Sequence, residues 1–169
     1  MSLEQWAYLS QIAAGAAVIA SLIFVGVQVR QFTDATKAQT QQHVASSWFA
    51  IGQLVCDNAA AFGAGLTSTD ARFADLAPED RLKFVAVIFA LYKHYENIFL
   101  EHRAGRIDAR TWAPWSIHML IYFHQPGVQS WWAIRKHSFD PEFQAYLETS
   151  QKPDVPTPAT LLQPTPRAS

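Results

Sequence analysis

Residues 12–29, "IAAGAAVIASLIFVGVQV", carry no charge, and the uncharged stretch reaches back to Gln5, giving 25 residues without a formal charge. About 20 apolar residues in a helix, at roughly 1.5 Å each, cross a hydrocarbon layer of about 30 Å. The run is therefore long enough to span a bilayer. Trp6 and Tyr8 would then sit at one interface, where amphipathic rings are favoured, and Arg30 would close the other. Nine strongly apolar residues (Ile12, Val18, Ile19, Leu22, Ile23, Phe24, Val25, Val27 and Val29) carry the insertion, while five alanines and two glycines dilute it.

Two other readings compete for this stretch. A cleaved export signal gains some support from "VIAS", whose residues suit a peptidase. Against it, no basic residue precedes the run, and its most apolar part, "LIFVGVQV", falls after the cut. The other competitor is the buried core helix of a soluble bundle. Length favours a retained span over both. Arg30 and Lys37 follow the run with no cation before it, so the positive-inside rule puts the following domain in the cytoplasm.

Beyond the run the chain reads as helical. In "QFTDATKAQTQQHVASSWFAIGQLVCDNAAAFGAG", Val44, Trp48, Ile51, Val55, Ala59 and Phe62 recur at helical spacing, and Gly63 and Gly65 are expected to end the helix. The β-branched and capping residues of "FTDAT" leave open whether the anchor runs straight into this segment. In "APEDRLKF", Pro78 fits a first helical turn with Glu79 and Asp80 beside it, and Gly105 closes that helix. Its middle, "FVAVIFAL", is apolar on every face, which predicts the central helix of a domain; Lys93 and Glu96 follow too closely for a second span. Asp108 caps a helix holding Pro114 near its start, "QPG" at 125–127 reads as a turn before a short helix, and Asp140 with Pro141 opens another. The tail from Gln151 holds five of the nine prolines and is expected to be disordered.

The fold class expected is all-α: a transmembrane anchor over residues 1–30, a bundle of four to five helices over 31–150, and a Pro-rich tail over 151–169. Between residues 30 and 150, 11 basic and 12 acidic residues alternate without a run of one sign. Nucleic-acid binding is disfavoured, because it needs clustered cations to displace counterions from phosphates.

No constellation points to catalysis. Cys56 has no His, Lys or Arg three or four residues away to activate it, and it reads as a small buried helix residue. None of the six histidines forms an ExxH or HxxxH pair, so no metal site is expected. No phosphate-binding glycine loop or nucleophile elbow occurs, and no cofactor is implied. Glu96 stands out because it shares a helix stripe with Val85, Phe89, Tyr92 and Phe99. A carboxylate on an apolar stripe needs a partner or stays protonated. Either it is an ion pair, with an Arg such as Arg103 or Arg110, or it is a ligand-contacting acid with Tyr92, Tyr95 and His118 nearby. Trp112, Trp115, Trp131 and Trp132 fill the core or line a pocket. Within the span, Ala13, Ala17 and Ser21 lie four apart, a spacing that lets two membrane helices approach and fits a homo-oligomer.

The segments "SLIFVGVQVRQFTDATKAQT", "YENIFLEHRAGRIDARTWAPW" and "PGVQSWW" resemble a family of small bacterial proteins of uncharacterised role. Its members have an N-terminal hydrophobic helix ending in VGxQxRQ, followed by a helical domain. The resemblance covers residues 21–143 and implies a bacterial, membrane-associated helical protein, with no activity to carry over. The reading is thus a bilayer-anchored interaction or regulatory module with a protein partner still to be found, not an enzyme. The alternative is a sensor or carrier that holds a small apolar ligand in an aromatic-lined pocket near Glu96, built from Tyr92, Tyr95, Trp112, Trp115 and His118.

Overall fold

The computed structural model describes residues 2–69 and 75–156, without the side chains of residues 3, 7, 9, 12 and 13. Among the described residues the chain is all-α. Helix α1 runs Leu3–Asp57, followed by α2 (Ala59–Thr67), α3 (Pro78–Arg103), α4 (Ala109–Phe123), α5 (Pro126–Arg135), a 3-10 turn (Lys136–Ser138) and α6 (Pro141–Thr149). The part of the expected disordered tail from residue 157 on lies outside the described residues. Contacts divide the chain into two units, Met1–Gln39 and Thr40–Ser169.

The first unit lies within α1. "FTDAT" does not interrupt this helix. Thr33 and Thr36 turn their hydroxyls back onto the carbonyls of Val29 and Phe32, each at 2.9 Å, so these threonines bond within the helix instead of competing with it. Trp6, Tyr8 and every large apolar side chain from Val18 to Val29 are exposed. This helix is long and apolar enough to cross a membrane.

The second unit holds the last turns of α1 and the helices that follow. Its axis is α3, which buries ten side chains, Phe84, Ile88, Tyr92 and Ile98 completely. Helices α2, α4 and α6 pack on α3, and α5 packs on α2 and α4. Pro78 supplies a first-turn residue that needs no amide partner, and Gly105 ends α3 at φ 72, a left-handed conformation with little penalty only for glycine. Asp108 caps α4 by accepting from Thr111 N at 2.7 Å, and Asp140 caps α6 by accepting from Glu142 N and Phe143 N.

Three local expectations are corrected. Gly63 and Gly65 lie inside α2 instead of ending a helix; the break comes at Asn58 and the end after Thr67. Gly65 is there because helices meet over it: a methyl on it would overlap the Phe84 ring, and one on Gly127 would overlap the Gly65 carbonyl. "QPG" is not a free turn, since Pro126 and Gly127 form the first turn of α5 with Gln125 as its cap. Cys56 is exposed, not buried.

Candidate functional site

The sequence-predicted ligand residues separate into three places. Tyr92, Tyr95, Trp115 and His118 gather on the side of α3 that meets α4. Tyr92 is fully buried, donates its hydroxyl to the Met119 carbonyl at 3.3 Å, and packs edge-on against Tyr95 at 5.5 Å between ring centres. The Tyr95 hydroxyl lies 2.7 Å from His118 Nδ1. Burial pushes the Tyr95 phenol well above its usual range and holds the His118 imidazole below its own, so both are neutral at pH 7. A buried phenol satisfies its proton by donating it; Nδ1 is then the acceptor, and His118 carries its ring proton on Nε2.

Around this pair stand two residues that sequence reasoning missed, Trp48 and His94. Trp48, from α1, meets Trp115 at 5.0 Å and His118 at 5.1 Å, both edge-on, and stacks on His94 at 5.8 Å. His94 is 6% exposed, and its Nε2 has no hydrogen-bond partner among the described residues. Burial first, and then the neighbouring His43 charge, lowers its pKa to about 4. The histidine is thus a neutral aromatic plate in the core. Trp48 was visible only as one more apolar residue at helical spacing. Among the described residues no three His, Cys, Asp or Glu side chains group as metal ligands would.

Beside this cluster lies a half-open groove of about 210 Å³. Trp48, Ile51, Gly52 and Val55 of α1 form one wall, with Cys56 at its end. Phe62 of α2, Leu91 of α3, and His118 and Tyr122 of α4 form the other.

Glu96 is placed elsewhere, in a fastening. Its side chain is 11% exposed, and Oε2 accepts from Lys93 Nζ at 2.7 Å. The same ammonium donates to the Ser138 carbonyl at 2.7 Å and sits 4.5 Å from the centre of the Phe139 ring. Glu96 Oε1 accepts from Asp140 N. Both carboxylate oxygens therefore tie the 3-10 turn and the start of α6 to α3. The partner is Lys93, three residues back on the same helix, not Arg103 or Arg110; Arg103 pairs at the surface with Glu142 at 3.2 Å.

Trp112 lies in a third place, an open cleft of about 470 Å³ that it shares with His102, Arg103 and Tyr146. His102 stacks flat on it at 5.0 Å. Trp131 and Trp132 are buried in the core. In the first unit Trp6, Tyr8, Ala17, Ser21 and Arg30 are exposed, while the Ala13 side chain lies outside the described residues. No protein-family model, curated protein or solved structure matches the chain.

Proposed function

We propose that the chain is a single-pass protein of a bacterial inner membrane, anchored by α1, with a cytoplasmic helical domain that serves as an interaction or regulatory module. The observation that carries this reading is the exposure of the apolar run: from Val18 to Val29 the large side chains are between 48% and 67% exposed. A contiguous apolar surface of that extent is favourable in lipid and unfavourable in water. Arg30 and Lys37 flank its C-terminal side, the cation bias that directs the domain to the cytoplasm.

For the domain, support comes from Phe49, Leu82 and Ile134, which stand 67% to 77% exposed and offer apolar surface to a partner protein. Small residues at Ala17 and Ser21 permit a second copy to approach along the span. Cys56, exposed and the chain's single cysteine, reports the topology. In intact cells stripped of their outer layers, a membrane-impermeant maleimide should leave Cys56 unlabelled until the membrane is permeabilised. Labelling before permeabilisation reverses the orientation, and recovery of the protein in the aqueous fraction removes the anchor.

A further inference from the structure

The groove between α1 and α4 has the features of a small-molecule site, and Glu96 is not part of it. Its size sets the first limit. A cavity of about 150 Å³ accepts benzene in another protein, so about 210 Å³ suits a ring with one substituent. Its walls set the second limit: none of the side chains that line it carries a formal charge, which disfavours any ion that would have to leave water. Among the lining residues, His118 and Tyr122 carry polar groups, with the Trp48 indole and the Cys56 thiol beside them. Tyr95 engages His118 Nδ1, which leaves Nε2 as the ring nitrogen outside that bond.

Gly52 supplies an independent argument. It sits within α1, where glycine is the poorest helix former after proline. A β-carbon on Gly52 would meet nothing within 4 Å, so no neighbour demands a glycine there. Gly52 lies in the groove wall, so a larger side chain at this position adds bulk there.

The geometry points to a binding site for a small uncharged, mostly apolar molecule of phenol size, held by the walls of Trp48, Val55, Phe62 and Leu91 and oriented by a hydrogen bond from His118. The site is a property of the second unit and does not depend on the membrane reading.

The test uses the full chain in lipid nanodiscs with 4-fluorophenol as the probe, followed by fluorine NMR, with empty discs as the blank. Wild type should bind the probe saturably beyond the empty-disc signal, and 4-fluorobenzoate at least tenfold more weakly. Gly52→Leu should fill the groove and weaken phenol binding at least tenfold, while the thermal midpoint stays level or rises. Where that variant loses its fold, Gly52→Ala replaces it and should weaken binding at least threefold. Partition equal to empty discs, equal binding of the benzoate, or unchanged affinity in the folded glycine variant would each overturn the proposal.

Discussion

Residues 18–29 and residues 84–91 are both dominated by Val, Ile, Leu and Phe, yet the first set stands at least 48% exposed while Phe84, Val87, Ile88 and Leu91 are 2% exposed or less. The cause is where polar residues resume. After "FVAVIFAL" the chain brings in Lys93 and Glu96 within a turn or two, and these serve the domain by fastening α6 to α3. Residues 18–29 carry no charge to make such a fastening, and their uncharged stretch is nearly three times as long. Apolar content alone does not separate a core helix from a span; length and the work given to the next charges do.

The largest way to break the comparison is to place one charge in each region. Ile88→Arg buries an unpaired cation in a fully packed site and should cost more than about 4 kcal/mol, leaving the domain unfolded by circular dichroism and thermal melting. Ile23→Arg should leave the domain's melting unchanged but weaken insertion by about 3 kcal/mol, read as release from membranes. If both variants unfold the domain, the two regions are not independent.

The two glycine sets give the next effect. Gly127→Ala drives a methyl into the Gly65 carbonyl and should destabilise the domain by about 3 kcal/mol in chemical denaturation, whereas Gly26→Ala, with open space around it, should be neutral or slightly favourable to the helix.

His94 contrasts with Glu96 as a buried group whose Nε2 has no hydrogen-bond partner among the described residues, and it makes stability depend on pH. Its folded pKa of about 4 lies below the unfolded value near 6.5, so the unfolded chain takes the proton first. The His94 contribution is fully present above about pH 6.5 and is lost as the pH falls toward 4. His118, also lowered by burial, adds in the same direction. In His94→Phe the denaturation midpoint should fall less steeply over that range; an unchanged slope would place the titration elsewhere.

Smaller effects belong to the fastening. Glu96→Gln keeps the shape but removes the charge that holds Lys93, and should cost about 2 kcal/mol, with a double-mutant cycle against Lys93→Met showing coupling. Asp140→Ala removes the cap of α6 and should cost about 1 kcal/mol.

Much of the fold was legible because its signals are local. Asp108, Asp140, Pro78 and Gly105 act where they stand, through caps and dihedral limits a reader can place by residue type. Gly65 and "QPG" were misread because the roles of their glycines are tertiary: Gly65 lies against Phe84, 19 positions on, and Gly127 lies against Gly65. The same limit hid the candidate site. Tyr95 and His118 were anticipated only as neighbours of Glu96, which is bound elsewhere, and Trp48 reaches His118 from α1, far away in sequence, where nothing in "SSWFAIG" marks it. Glu96 was recognised as a carboxylate in need of a partner, while Lys93 went unconsidered because it is only three residues away on the same helix.

Alkaline carbonate extraction of membranes from cells expressing the full chain tests the anchor most directly. The account predicts that the wild-type protein stays in the pellet and leaves it only with detergent, while Ile23→Arg shifts to the supernatant with its domain still folded. Wild-type protein in the carbonate supernatant would contradict it.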